Sequence, residues 1–540
     1  MPHSLRMRAA LAVLSGIVLA LAFPRFDFNL MAWVALVPLL SAIDGASPRE
    51  TFALGWLQGF AANVIGLYWI TITLHTFAGV RIELAVLPML LLAAVVAIYT
   101  GVAVWAASFV TARADLSIVA TFPIAWTALE WVRTYFPIGF PWNLLGYAAY
   151  RNLALVQFAE ITGVYGVSAL IAFFNVVIYV VVFQRERSRI QGIALATLSA
   201  LIAAAWIFGS VRLDQLSRVK HDGTIKFAMV QGDIPQSVKW DPNFLETSFN
   251  VYVTQTEAAA RLGADVAVWP EAAAAFFFQP EDRYPAAFAS DAGYRARLLQ
   301  LAANTGMPIL FGAPALGVEY GRVGFYNRAY LVSGKGQVLD WYDKIQLVPF
   351  GEYVPLRGLL GGIVNRIVTG FGDMFPGQRQ TLFDLKGAKL GVLICYESIF
   401  PALSREEARL GANILVNITN DAWYGRSSAP YQLLAMAAMR SIETKLPMVR
   451  VANTGISAVI EPTGQIAART PLFKRGTEIE RVGWRPEVTI YAEVGDVFAE
   501  ICFALTLIGL AIAWRRRPAR PEPAAIEDRE VHAMNGHGRP

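Results

Sequence analysis

A bundle of membrane-spanning helices carrying one α/β domain is the fold class this sequence predicts, and three observations predict it. Of 540 residues, 55% are hydrophobic and only 16% charged, with a mean hydropathy of +0.44, too apolar for an ordinary soluble protein. Apolar runs approaching the roughly 20 residues that cross a bilayer occupy both ends of the chain and are missing from its middle. That middle instead alternates short β-rich runs with helical stretches, the pattern of an α/β domain.

The apolar runs, about eight in number, are residues 9–23, 30–43, 52–80, 84–111, 116–131, 153–183, 190–211 and 501–514. The first is short and follows Arg6 and Arg8, as a secretory signal would, but no convincing cleavage site comes after it. Lys and Arg in short connections favour the cytoplasm. With the N-terminus inside, Arg6, Arg8, Arg49, Arg113, Arg185, Arg187, Arg189, Arg515, Arg516, Arg517 and Arg520 all fall on the cytoplasmic side. Only Arg25, Arg81, Arg133 and Arg151 fall opposite, so the long segment after the seventh run faces outward.

The division that follows is a bundle over 1–211, an extracytoplasmic catalytic domain over 212–491, an eighth helix over 492–517 and a disordered cytoplasmic tail over 518–540, rich in Pro, Ala and Glu. Within the domain, "IKFAMVQ" (225–231), "ADVAVWP" (264–270), "PILFGAP", "AYLVS", "KLGVLIC" (389–395) and "ANILVNITN" read as strands, and 294–305 and 431–446 as helices. The net charge of +5 is scattered beside apolar runs, which implies membrane topology and no nucleic-acid surface. Two cysteines, Cys395 and Cys502, make neither a disulfide framework nor a zinc site. Cys502, inside the last apolar run, reads as lipid-facing or packing filler.

Cys395 ends an apolar strand and precedes "YESIFPALSREEARLGA", which reads as a helix, so its thiol falls at a strand-to-helix turn where amide N–H groups can meet an oxyanion. Taken alone, it is more simply a buried apolar cysteine. "VWPEAA" sets Glu271 past a strand end behind Trp269 and Pro270, where apolar bulk should raise its pKa as a general base for a thiol requires. Alone it is an ordinary surface carboxylate. "DWYDKIQLVPFGEYVP" offers Lys344 among aromatic and aliphatic neighbours, where an ammonium can stabilise an oxyanion, and a glycine-bearing turn then presents Glu352. Alone, Lys344 is a snorkelling lysine.

In this order and with these flanks, Glu271, Lys344 and Cys395 resemble the Glu-Lys-Cys triad of the nitrilase superfamily. "FGEYVP", "GVLICYESIF", "NITNDAWYG" and "FPIGFPWNLLGYA" (136–148) are similar to its membrane-bound branch, the apolipoprotein N-acyltransferases. The resemblance covers nearly the whole chain and implies an α-β-β-α sandwich for the domain. It implies a multi-pass enzyme of the bacterial inner membrane whose catalytic domain faces the periplasm. It also implies a last step of lipoprotein maturation, in which Cys395 takes the sn-1 acyl chain of a phospholipid donor as a thioester and passes it to the amine of a diacylated apolipoprotein. Glu271 would be the base and Lys344 the oxyanion partner; Glu352 would hold Lys344, and Tyr396 and Glu397 would shape the pocket.

Trp240, in "QSVKWDP", is similar to a further residue needed for activity in that family, and Asn420, Asp421 and Trp423 would line the cleft, although a capped turn with a packed indole explains those three as well. No metal or cofactor is implied, and the partners are the two lipid substrates and the surrounding membrane lipids.

Two other readings compete. A membrane-anchored nitrilase-like amidase or hydrolase would share the triad and release its acyl group to water, yet one helix suffices as an anchor. A transporter predicts several charges inside its helices, whereas Glu130, Arg133 and Glu160 are the main ones here.

Overall fold

The structure is a computed structural model that describes residues 4–77, 79–184, 188–279, 291–319, 321–353 and 374–516. The tail 518–540 and four arginines of the charge pattern, Arg185, Arg187, Arg517 and Arg520, lie outside the described residues.

Among the described residues, four helices are long and apolar enough to cross a membrane: Ile82–Ala114, Val164–Phe183, Arg189–Ser217 and Val497–Arg515. A fifth span results if Pro48–Gly66 and Trp69–Phe77, bent by 47°, are counted together. Leu5–Leu21 and Ile118–Tyr135 pack among them. The expected plan of a helical bundle plus a sandwich holds, but three of the runs read as single spans are interrupted. Residues 30–43 divide into a tight turn, Asn29–Trp33, and a seven-residue helix, Val37–Ile43, with Pro38 in its first turn. Residues 52–80 bend after Gly66. Residues 153–183 break at Gly163, whose φ of 63° no helix interior accommodates. The break leaves Glu160 in the short helix Ala159–Thr162, where it pairs with Arg212 at 2.8 Å and Lys445 at 3.1 Å.

The domain consists of two six-stranded sheets. Its strands are β1 (Gly223–Gln231), β2 (Val266–Val268), β3 (Ile309–Glu319), β4 (Arg322–Val332), β5 (Val338–Asp343), β6 (Leu382–Leu385), β7 (Ala388–Ile394), β8 (Ile414–Thr419), β9 (Met448–Ala452), β10 (Ala458–Ile460), β11 (Ile466–Arg469) and β12 (Gly476–Trp484). One sheet runs β12-β1-β2-β3-β4-β5 and the other β11-β10-β9-β8-β7-β6. The centre of the second is parallel, with Ile394 beside Ile418 and Ile418 beside Val451.

Alternation along each strand builds the layers. Phe227, Met229, Val266, Val268 and Leu331 meet Val392, Ile394, Val416, Ile418 and Val451 between the sheets. Their neighbours Ala228, Val230, Ala267, Trp269 and Val332 turn outward beneath helices Pro242–Arg261 and Ala292–Thr305. On the other side, Leu393, Leu415 and Met448 turn outward beneath Pro401–Arg409 and Ala429–Thr444. This is the α-β-β-α sandwich.

Helix Ala429–Thr444 is buried along its length because its far side meets the bundle. Trp142 Nε1 donates to Gln432 Oε1 at 2.8 Å, and Gln432 Nε2 donates to the Gly66 carbonyl at 3.2 Å, at the bend in the third apolar run. Arg440, without exposure, donates to Glu443 at 2.9 Å and to the Tyr147 hydroxyl at 3.2 Å. Glu443 in turn accepts the Val164 N–H at 2.8 Å, capping the helix that starts after Gly163. The string "FPIGFPWNLLGYA" is therefore the bundle's docking loop. Glu130 braces it from below by accepting the Leu145 N–H at 2.7 Å.

Removing one partner of a buried ion pair strands the other and costs about 3–5 kcal/mol. Arg440→Met should thus lower the unfolding temperature of the full chain in detergent markedly, and Arg440→Met/Glu443→Gln should recover part of the loss. An unfolding temperature equal to wild type for the single variant would show that the junction does not depend on this pair.

Candidate active site

Each of the three triad positions stands where a strand ends. Glu271 follows β2 through Trp269 and Pro270, Lys344 follows β5 directly, and Cys395 follows β7. Glu271 can leave its strand abruptly because β3 passes close beneath it: a Cβ on Gly312 would lie 2.5 Å from the Ala272 nitrogen and 2.8 Å from the Glu271 Cα. Only glycine permits that approach.

Cys395 has φ 56°, a left-handed conformation costly for a non-glycine residue, which turns the chain out of β7. A tight 3₁₀ turn, Cys395–Ile399, follows, and the α-helix starts only at Pro401. The helix expected directly after Cys395 is thus delayed by five residues' turn, because proline is admitted at a helix's first position but not inside it. The glycine-bearing turn before Glu352 places its positive φ, 61°, on Phe350 instead of Gly351.

The side chains meet in a nearly closed space. Lys344 Nζ donates to Glu352 Oε1 at 2.7 Å and lies 3.4 Å from Glu271 Oε1. Glu271 Oε1 also accepts Asn327 Nδ2 at 2.7 Å, and its Oε2 accepts the Asn420 N–H at 2.8 Å. Glu352 Oε2 accepts the Val348 N–H at 2.8 Å, which closes the turn that carries it.

Behind Cys395, Glu397 is fully buried and ties three segments. Its Oε2 accepts the Ile394 N–H at 2.7 Å, and its Oε1 accepts the Ile345 N–H at 2.7 Å, the Gln346 N–H at 3.0 Å and the Tyr342 hydroxyl at 2.8 Å. The pocket-shaping position expected for it is instead a clamp between the Cys395 turn and the segment after Lys344. Tyr396 packs edge-on against Phe400, ring centroids 5.0 Å apart.

Deeper still, Asp421 and Arg450 form a fully buried ion pair at 2.8 Å. Trp423 lies edge-on to Phe77 of the bundle at 5.5 Å. Trp240 is 38% exposed, just before helix Pro242–Arg261. Cys502 is buried within Val497–Arg515, which leaves packing as its role.

The electrostatics correct one expectation. Burial does press Glu271 upward, but the Lys344 ammonium, the Asn327 amide and the Lys239 ammonium outweigh it and hold the carboxyl below its ordinary range. Burial raises the Cys395 thiol, the Glu271 charge adds to that, and Lys344 opposes both. Lys344 itself is held well above an ordinary lysine by Glu352 and Glu271 despite burial. The arrangement at neutral pH is thus an ionised carboxylate, an ammonium and a neutral thiol, a base already able to accept a proton.

Lys239 is the residue that sequence reasoning passed over. It stands next to Trp240, is 3% exposed, and donates to the Glu271 carbonyl oxygen at 3.0 Å. Burial depresses its pKa to about 8, with Glu271 and Cys395 opposing. Asn327, on β4, was likewise unmarked. Nothing in an isolated lysine or asparagine signals such burial.

With this geometry in place, two family models match the chain. The carbon-nitrogen hydrolase model matches residues 226–494, and the apolipoprotein N-acyltransferase N-terminal domain matches 15–177. The chain is 40% identical over 515 residues to the apolipoprotein N-acyltransferase of Geobacter metallireducens, covering 94% of this chain and 95% of that one. The chain belongs to the apolipoprotein N-acyltransferase family.

The apolipoprotein N-acyltransferase of Chromobacterium violaceum is 34% identical, across 94% of this chain and 95% of its own. That of Pseudomonas syringae pv. tomato is 32% identical, across 89% and 92%. An amidase structure from Nesterenkonia sp. aligns with 51% of this chain and 95% of its own at 20% identity and a TM-score of 0.36. As an apolipoprotein N-acyltransferase family member, the chain is a membrane acyltransferase with a nitrilase-like domain.

The charge on Lys239 helps hold Glu271 ionised, so losing it should raise the Glu271 pKa and move the acid limb of the pH–rate profile to higher pH. Lys239→Met should do so while lowering acyl transfer about 10–100-fold, the effect of leaving a buried acceptor without about 1–3 kcal/mol of bonding. Lys239→Arg, which keeps the charge, should leave the limb in place. An unshifted limb in a folded Lys239→Met protein would reduce Lys239 to a packing residue.

Proposed function

We propose that the chain moves the sn-1 acyl chain of a membrane phospholipid to the free α-amino group of the diacylglyceryl-cysteine that begins an apolipoprotein, through a thioester on Cys395. The observation that carries the reading is that a helix of the bundle packs over a loop of the cluster. Helix Trp69–Phe77 of the bundle lies over the loop that follows β8: Trp69 meets Tyr424 edge-on at 5.0 Å, Phe77 meets Trp423, and the Tyr68 hydroxyl accepts the Ser428 N–H at 3.1 Å. The same loop reaches the cluster, since the Asn420 N–H donates to Glu271 Oε2 at 2.8 Å. A nucleophile beside a bundle helix suits a donor that arrives from lipid.

In the first half-reaction the Cys395 sulfur bonds to the acyl carbonyl carbon as Glu271 takes the thiol proton. The carbonyl oxygen becomes an oxyanion beside Lys344 and backbone N–H groups of the turn after Cys395. The ester C–O bond then breaks, and Glu271 returns the proton to the leaving lysophospholipid oxygen. In the second, the amine attacks the thioester, Glu271 accepts its proton, and as the C–S bond breaks Glu271 passes that proton to the departing sulfur, which regenerates the thiol and the carboxylate. An α-amine of pKa about 7.7–8.0 is partly neutral at pH 7 and can serve as that nucleophile. Glu352 and Asn327 position Lys344 and Glu271, Glu397 positions the turn, and Trp240, Tyr396 and Trp423 contact substrate.

The reading divides the chain into a bundle of 1–211, a catalytic domain of 212–491, an eighth helix of 492–517 and a tail of 518–540, with the catalytic domain on the periplasmic face of the inner membrane. Supporting this, the Arg516 Nη1 donates to the Ala114 carbonyl at 2.9 Å, gathering two arginine-bearing helix ends at the end of the bundle away from the domain.

An apolar cleft that excludes water should let the thioester outlive its formation until an amine arrives. Full-length protein given phospholipid alone should accumulate an intact-mass acyl adduct on Cys395. A diacylated lipopeptide with a free N-terminus should discharge it, and the N-acetylated lipopeptide should not. Free fatty acid released steadily without lipopeptide, at a rate the lipopeptide leaves unchanged, would establish the anchored hydrolase instead.

A further inference from the structure

A second cavity lies apart from the cluster, where the loop after the first helix meets the domain. It is an open cavity of about 480 Å³ lined by Arg25, Arg426, Arg469, Tyr431, Thr470 and Leu472, among others. That volume is in the range of small-molecule sites. Three guanidiniums converge on it from three separate segments: the loop following Leu5–Leu21, the loop preceding Ala429–Thr444, and the end of edge strand β11. Among the described residues, no carboxylate lines the cavity and none of the three arginines has an ion-pair partner. Asp233 is the carboxylate that senses Arg426, and it shares that field with Arg475.

All three arginines are exposed to solvent around the opening. Arg426 lies over the Phe473 ring with its guanidinium carbon 4.7 Å from the centroid, which orients its planar fork. Tyr431 adds a hydroxyl donor. Immediately after Arg25, the chain leaves Phe26, Phe28 and Leu30 exposed on the bundle surface, the last 77% exposed. Apolar side chains left bare beside a basic pocket, at the end of a membrane helix, fit a ligand with an anionic head and hydrocarbon tails.

We propose that this cavity binds the phosphate of an anionic glycerophospholipid, at a site separate from Cys395. The guanidiniums give bidentate N–H donors to phosphate oxygens, and the missing carboxylate leaves nothing to receive the ammonium of a zwitterionic head. The lipid's acyl chains lie along Phe26, Phe28 and Leu30. The bound lipid ties the domain's β11 edge to the loop of the first helix.

The test is native mass spectrometry of full-length Cys395→Ala protein, in which thioester formation is removed, titrated in detergent with short-chain phosphatidylglycerol or phosphatidylcholine. One phosphatidylglycerol should be retained at this site, more tightly than phosphatidylcholine. Arg25→Gln/Arg426→Gln/Arg469→Gln should weaken it about fivefold per guanidinium removed, about a hundredfold in all. Arg469→Gln alone, on an exposed strand edge, keeps the test available if the triple variant misfolds, and should show the single-charge loss. Equal retention by wild type and the variants, or equal affinity for the two lipids, would overturn the proposal. Displacement of the lipid by inorganic phosphate at matching concentration would also overturn it, assigning the pocket to the free ion.

Discussion

An ammonium without water is tolerable only if opposite charge surrounds it, and the site is organised around that constraint on Lys344. It is 1% exposed, with Glu352 on one side and Glu271 on the other. Meeting the constraint requires three chain segments to arrive together: the end of β2, the end of β5 and the turn that presents Glu352. Asn327 on β4 bonds both carboxylates, at 2.7 Å to Glu271 and 3.3 Å to Glu352, so the sheet itself sets their separation. Cys395 belongs to the opposite sheet. Glu397 brings the sheets into register at this point by bonding the strand before Cys395 and the segment after Lys344 at once. A carboxylate with so many donors would ordinarily stay acidic, yet burial lifts it to about 7.

The bundle extends the same logic outward. Helix Ala429–Thr444 is buried along nearly its whole length, and three of its polar side chains are answered from the membrane side: Gln432 by Trp142 and Gly66, Arg440 by Tyr147, Glu443 by Val164. Lys445, just past its end, reaches Gln157 at 2.7 Å and Glu160 at 3.1 Å. These bonds fix the domain against the spans. They also explain the interrupted third and sixth runs: their breaks are where bundle backbone and side chains become available to the domain.

Much of this was legible in the sequence, for physical reasons that differ by element. Apolar length and the nearly continuous apolar runs of 225–231 and 389–395 announce spans and sheets because burial on both sides leaves little choice of residue. Cys395, Glu271 and Lys344 stood out by their flanks. What stayed hidden depended on long-range partners. The pKa of Glu271 is decided by Lys344, Lys239 and Asn327, 73, 32 and 56 residues away, so apolar neighbours in sequence predicted the wrong direction. Lys239 resembles any lysine until its burial is known. Glu397 looked like a pocket residue because it is two positions from Cys395, whereas the tight turn points it backward. The helix breaks at Gly66 and Gly163 sit inside strongly apolar runs, where hydropathy outweighs the glycine signal.

Burial, with the Glu271 charge added to it, keeps the Cys395 thiol protonated until an acyl carbonyl is present, with Glu271 ionised and waiting. The direct measurement is the rate at which iodoacetamide alkylates Cys395 in the full-length protein as a function of pH, followed by intact mass. With the thiol pushed above its ordinary value by burial and Glu271, the rate should be low at pH 7 and keep climbing through the pH of an ordinary thiol, about 8.5, without levelling. A plateau reached at or below pH 7 would mean a preformed thiolate paired with Lys344, and would contradict the account.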